Sequence, residues 1–177
     1  MHVPLPAGVG LRPLTDDDKA FMARLYALNR QAEVANFPFN EQQKKLFLHS
    51  QFEAQFRHYF SHYPRGRFAL IEQQGTPIGR FLVAELPGQL RLVDIALLPS
   101  HQRLGIGSAL IRQLQADARA QGLSIQLQVD PVSPARGLYE RLGFMAGEGN
   151  GLYLAMVWAP RPLSPDEGGR LGGSTAT

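Results

Sequence analysis

Seven consecutive residues, Gln102-Arg103-Leu104-Gly105-Ile106-Gly107-Ser108, have the makings of an anion cradle. They follow Pro99 and a short polar loop, and they open a stretch with helical apolar spacing. The first amides of a helix have no internal acceptor, and the helix dipole adds about half a positive charge there. Gly105 and Gly107 lack a Cβ, so a phosphate can come close to the backbone, and Arg103 adds a cation. Packing alone also produces Gly-x-Gly at a strand-to-helix turn, so these residues by themselves leave phosphate binding and packing both open. Two known phosphate loops fit poorly. A P-loop needs Lys followed by Ser or Thr after its second glycine, and a dinucleotide fingerprint needs a small residue where Leu110 stands.

Other reactive side chains form no clear constellation. His58 and His62 have the i, i+4 spacing of a zinc pair, but no Glu lies between them as in HExxH and no third ligand is evident. They read as helix surface or pocket rim, and His49 and His101 as solvated, so no metal is expected. Arg57, Arg65 and Arg67 read as surface charge rather than a nucleic-acid face. The chain has no cysteine, which removes a thiolate nucleophile, a disulfide framework and a Cys-based zinc site.

The elements that must position the cradle are legible. Residues 9–14 read as a first strand, and Thr15 with three aspartates opens a helix carrying Phe21, Met22, Leu25, Tyr26 and Leu28 on one face. Residues 36–39 break it. Asn40 with Gln43 reads as a capping box for a second helix, striped by Phe52, Phe56, Tyr59, Phe60 and Tyr63 and ended by Pro64 and Gly66. Phe37 and Phe39 join those aromatics as core candidates. Strands follow at 68–72, 78–86 and 90–98, joined by turns at 74–77 and 86–89, the second with the Pro-Gly of type II. Then come a helix at 105–121 with Gly122 as its C-cap, a strand at 124–129, a helix at 134–142, and strands at 144–146 and 152–158 around a turn at 147–151. This order gives a mixed α/β (α+β) fold in one domain at 1–159. The tail, 160–177, is rich in Pro and Gly without aromatics and reads as disordered. No stretch is long and apolar enough to span a membrane, and residues 1–10 lack signal-peptide features, so a cytoplasmic protein is expected.

Two segments together resemble a known family. Asp94-Ile95-Ala96-Leu97-Leu98-Pro99 followed by Gln102-x-x-Gly105-x-Gly107 is similar to the acetyl-CoA motif of the GNAT superfamily of N-acyltransferases. Further on, Ser133-Pro134-Ala135-Arg136-Gly137-Leu138-Tyr139-Glu140-Arg141-Leu142-Gly143-Phe144 resembles its second signature, Asn-Pro-Ala-x-x-Leu-Tyr-x-x-x-Gly-Phe. The resemblance implies a mostly antiparallel sheet flanked by helices and splayed at its central strands. It implies acetyl-CoA as cosubstrate. Leu97 and Leu98 would offer backbone to pantetheine, the amides of Gln102, Arg103, Leu104, Gly105, Ile106, Gly107 and Ser108 would hold the pyrophosphate, and Ser133 stands at the position of a CoA-contacting Asn.

By the same resemblance, Tyr139 is the catalytic acid for the departing thiolate. Where relatives carry a basic Glu this chain has Val93. Strand alternation turns Asp94 away from it, so Asp94→Asn should retain turnover; Glu85 and Glu148 are the other carboxylates considered. The expected activity is acetyl transfer to a primary amine by direct attack, the acceptor being a small molecule or peptide and the protein a monomer or homodimer. The alternative is a non-catalytic acyl-CoA-binding module. The first two helices, with some of their aromatics, would form part of the acceptor pocket.

Overall fold

Apolar residues run almost unbroken from Ile78 to Ala84, and a strand buried on both faces requires such a run. In the computed structural model, which describes residues 4–64 and 66–160, that run forms the middle of a seven-stranded sheet. The tail expected at 160–177 lies, apart from Pro160, outside the described residues.

The chain runs β1 (Val9–Pro13), a 3₁₀ turn (Asp16–Asp18), α1 (Lys19–Val34), α2 (Glu41–His62), β2 (Arg67–Gln73), β3 (Thr76–Leu86) and β4 (Gln89–Leu97). It continues through a second 3₁₀ turn (Pro99–His101), α3 (Ile106–Gln121), β5 (Ser124–Val129), α4 (Ala135–Arg141), β6 (Met145–Gly149) and β7 (Leu154–Trp158). The strand order is β1-β2-β3-β4-β5-β7-β6, and every pairing is antiparallel except β4 with β5. The mixed, mostly antiparallel architecture is the one the sequence implied.

One sheet face carries α3, whose Ile106, Leu110, Ile111, Leu114 and Ala118 pack with Phe81, Val83, Leu90 and Leu92 of the central strands. The other carries α1 and α2. There Phe60 of α2 meets Phe68 of β2 edge-on at 5.3 Å, and Arg80 of β3 reaches Gln55 of α2 at 2.6 Å. Asn40 starts α2 as anticipated: its side chain accepts from the Gln43 N–H, and the Gln43 side chain accepts from the Asn40 N–H.

Two turns differ from expectation. Between β2 and β3 the turn is only Gln74 and Gly75, both left-handed (φ 51° and 79°), which suits the twist of a tight hairpin. Thr76 and Pro77 therefore belong to β3, with Pro77 beside a register shift at Ile71/Glu72. Between β6 and β7, the residues from Gly147 to Gly149 stay in the strand and the turn falls at 150–153. The Asn150 side chain fixes it by accepting from the N–H groups of Leu152 (3.0 Å) and Tyr153 (2.8 Å), a local bond that glycine cannot make.

Candidate functional site

Strand β4 leaves the sheet halfway along. It pairs with β5 only through Gln89–Arg91, opposite Ser124–Gln126, while β5 goes on to pair with β7 up to Val129. From Leu92 to Leu97 the edge of β4 that would have faced β5 is open. The departure coincides with a bulge. Leu92 pairs with Val83 and Asp94 with Leu82, so Val93 has no partner on β3. A bulge adds local twist and bends its strand, which carries β4 away from β5.

The resulting cleft holds about 640 Å³. Ile95, Ala96 and Leu97 form one wall; Pro134, Ala135, Leu138 and Tyr139 form the other; and the start of α3 closes one end. Of the residues singled out from the sequence, Leu97, Gln102, Arg103, Gly105, Ile106, Gly107, Ser108 and Tyr139 line it together. Leu104 projects outward. Leu98 lies beyond the cleft, buried, with its N–H donated to the Ile78 carbonyl at 2.8 Å. Ser133 turns its hydroxyl toward α4, accepting from the Ala135 N–H at 3.2 Å.

Two of the cradle residues have unusual backbone conformations. Arg103 (φ 63°) and Gly105 (φ 82°) are both left-handed, an arrangement that makes an anion-binding concavity. The first bond of α3 runs from the Ala109 N–H to the Gly105 carbonyl at 3.1 Å, which leaves the amides of Ile106, Gly107 and Ser108 ahead of the helical ladder. Gly105 is required by its φ. Gly107 is not required by anything in the fold, since a Cβ there would meet only Ile95 Cδ1, at an ordinary 3.8 Å. The space over Gly107 thus fits a phosphate at the helix start.

Gln102 braces the cradle from behind. Its side-chain amide donates to the Leu97 carbonyl (2.9 Å) and to Asn29 Oδ1 (2.9 Å), and Asn29 in turn donates to the same carbonyl (3.1 Å). Asn29, on α1, was not found from the sequence, because nothing local marks a helix asparagine that reaches across to a strand end.

At the other end Tyr139 packs its ring edge-on against Phe144 at 5.7 Å and is only 8% exposed. Burial first, and the negative charge of Asp94 second, hold its phenol well above the ordinary 10.0. It is a protonated donor at neutral pH.

The bulge corrects the alternation argument for Asp94. Leu92 and Ile95 face α3, while Arg91, Val93, Asp94 and Ala96 share the face of α1 and α2, so Val93 and Asp94 point the same way. Strict parity fails wherever an extra residue enters a strand. Asp94 Oδ2 accepts from Arg80 Nε at 2.6 Å; Arg80, 3% exposed, also donates to Gln55 and lies over the Tyr59 ring. The Asp94 charge also raises the Tyr59 phenol, after burial as the larger cause. The charge of Asp94 thus acts both on Tyr139 of the cleft and on Tyr59 of a second pocket, of about 450 Å³, under α1 and α2. Glu85 pairs instead with Arg67 (3.6 Å), and Glu148 is exposed on β6. An Arg within the apolar run of β3 was the available signal for this network, since a buried cation needs a carboxylate.

The rings of His58 and His62 lie 4.2 Å apart, tilted by 37°, and among the described residues no group of three or more His, Asp or Glu is arranged to hold a metal. No helix among the described residues is long and apolar enough to cross a membrane.

A sheet splayed between β4 and β5, with a helix start at the mouth of the gap, is the architecture of acyl-CoA-dependent N-acetyltransferases. The chain belongs to the acetyltransferase (GNAT) family, which it matches over residues 24–144. Its cosubstrate is accordingly acetyl-CoA. Among solved structures it is similar to PaiA N-acetyltransferase from Thermoplasma acidophilum in complex with coenzyme A, at 16% identity and a TM-score of 0.65, over 86% of this chain and 99% of that one. It is also similar to an acetyltransferase from Thermus thermophilus (17%, TM-score 0.63, 90% and 100% covered). The ribosomal-protein-alanine N-acetyltransferase of Escherichia coli shares 20% identity with a TM-score of 0.52, over 88% and 99% of the two chains. No curated protein matches the sequence.

Proposed function

We propose that the protein transfers the acetyl group of acetyl-CoA to a primary amine by direct attack in a ternary complex. The observation that carries this reading is the pair of cavities along β4, the open β4–β5 cleft and the pocket under α1 and α2, with the charge of Asp94 felt by Tyr139 of the first and Tyr59 of the second. The amides from Arg103 to Ser108 hold the pyrophosphate, with Gly107 admitting it and Gln102 fixing the end of β4. The open edge at Ile95, Ala96 and Leu97 receives pantetheine; Leu98 and Ser133 contribute through structure rather than contact. The thioester supplies an activated acyl carbon.

Asp94 attracts the incoming ammonium and takes its proton, directly or through water, so that the nitrogen lone pair is free to attack. The new C–N bond forms as the C–S bond breaks, the nitrogen gives up its second proton to solvent, and sulfur leaves with the bonding pair. Tyr139 donates a hydrogen bond to that sulfur. A thiol ordinarily titrates near ~8.5, below the raised phenol, so complete transfer of the Tyr139 proton is uphill. Its contribution is stabilisation of the departing thiolate, whose own proton comes finally from solvent.

The test is release of CoA thiol and acetylation of product, measured over a panel of cationic, neutral and anionic amines. Thiol release should require the amine. Stoichiometric release before amine is added would refute direct attack, and CoA binding without turnover across the panel would leave a non-catalytic acyl-CoA-binding protein.

A further inference from the structure

The pocket under α1 and α2 is walled by Tyr26 and Arg30 of α1, Tyr59 of α2, Arg91 of β4, Gln128 of β5 and Tyr153 of the 150–153 turn, among others. No aspartate or glutamate lines it. Arginine has only donors, and a protonated phenol is readily a donor too, so this wall has little to offer a cation and much to offer an oxyanion.

The state of the arginines points the same way. Arg91 makes no ion pair among the described residues. The Arg30 guanidinium stacks on Tyr26 at 4.1 Å, and its buried Nε has no hydrogen-bond partner among the described residues. Its link to Glu33 is a loose 3.7 Å contact to a mostly exposed carboxylate, a kind of pair that contributes little. Arg80 also has a buried nitrogen, Nη1, without a hydrogen-bond partner among the described residues. Of the nearby acids, Glu33 lies against Arg30 at 3.7 Å, and Asp94 accepts from Arg80 through Oδ2 alone. Two guanidinium groups, those of Arg30 and Arg91, thus line this volume, with no carboxylate among the lining residues.

Arg91 and Asp94 lie on the same face of β4, on either side of the bulge residue. One group attracts an anion and the other an ammonium. We infer that the acceptor is a small primary amine that also carries an oxyanion, a carboxylate or a phosphate, held by Arg91 and Arg30 while the amine is presented at Asp94. This rests on the reading of the protein as an amine acetyltransferase.

Four amines of similar length separate the possibilities: β-alanine, phosphoethanolamine, ethanolamine and 1,3-diaminopropane. Acetylation is followed by thiol release, and binding to the CoA-saturated protein by calorimetry. A charge-assisted contact predicts kcat/KM for at least one anionic amine about 10- to 100-fold above ethanolamine, with a ratio near 1 in Arg91→Gln. Which of the two anionic amines is preferred tells carboxylate from phosphate. Arg91→Glu should turn the preference toward diaminopropane, and Arg91→Lys should keep part of it; melting temperature and CoA affinity confirm that each variant is folded. Equal or better use of ethanolamine or diaminopropane by the native protein overturns the inference, and so does an anionic preference that survives Arg91→Gln. Arg91-dependent binding of an anionic amine without acetylation would support the pocket assignment and refute acetyl transfer instead. Turnover of neutral amines alone would do the reverse.

Discussion

Replacing Gly107 by alanine should make the protein more stable and a poorer binder of CoA. The residue lies in the first turn of α3 and has no positive φ. The new methyl group would touch only Ile95 Cδ1, at 3.8 Å, so the fold has room for it. Alanine is favoured over glycine in a helix interior by about 0.8–1 kcal/mol, and less near a terminus. For a chain of this size that raises the melting temperature by about 2–4 °C at most. The same methyl group would stand where the proposed pyrophosphate meets the amides of Ile106, Gly107 and Ser108. Losing one charge-assisted hydrogen bond costs about 1.5–3 kcal/mol, which is roughly 10- to 150-fold in Kd. Thermal unfolding without ligand and calorimetry with CoA, run on one preparation, give both quantities. A variant that melts no lower than the native protein and binds CoA with native affinity would refute the argument for this cradle. Gly105 is a less informative target: at φ 82° any side chain adds strain, so lost binding could not be separated from a deformed turn.

Four further outcomes follow from Asp94 and the phenols near it. Tyr139→Phe keeps the ring against Phe144, so its melting temperature should hold while kcat falls by about 10- to 100-fold, the loss of one hydrogen bond to a charged group, with KM for acetyl-CoA much less affected; native kcat would reduce the residue to packing. Asp94→Asn should lower kcat by about 10²-fold with CoA binding retained, against the strand-parity expectation; native turnover would remove Asp94 from the chemistry. The same change leaves the Arg80 guanidinium facing a neutral amide, and it should cost about 1–3 kcal/mol in denaturant unfolding. Because the phenols of Tyr59 and Tyr139 are both raised above their ordinary 10.0, the folded state holds protons that the unfolded chain gives up. Their contribution is complete below pH 10 and should be lost as pH rises further, at up to about 1.4 kcal/mol per pH unit for each phenol. Unfolding titrations from pH 9 to 12 should show a shallower loss in Tyr139→Phe, and identical slopes would contradict the burial argument.

The sequence was most informative where a local rule decides the outcome. Asn40 with Gln43, Gly122 after α3 and the alternation of β5 each declare their element within a few residues, and the two family-like segments identify opposite walls of the cleft. Long-range matters were not legible. Whether Asp94 joins Val93 on one face depends on how β4 registers against β3, and the register shift is a property of the pair of strands. Arg80 and Asn29 gain meaning only from Asp94 and the end of β4, which folding brings to them. The two misjudged turns have the same origin at shorter range. Gly147 and Gly149 look like turn residues, yet Asn150 next to them offers a side-chain acceptor that organises the reversal instead.

The extra residue at Val93 can be considered as an edit to an ordinary strand. Without it, Leu92 and Asp94 would be neighbours and β4 would alternate without interruption. Every other side chain of the strand would keep the face it now has, because the residues before and after Val93 already obey one regular pattern with it omitted. The alternation that supplies Leu90, Leu92, Ile95 and Leu97 to the core therefore runs on across the insertion. The extra residue lies two positions beyond Arg91, the last residue of β4 that pairs with β5, so one local irregularity accompanies the slot through the sheet. The binding cleft is in this sense modular: it is a local interruption of hydrogen-bond pairing, separable from the residues that keep the domain folded.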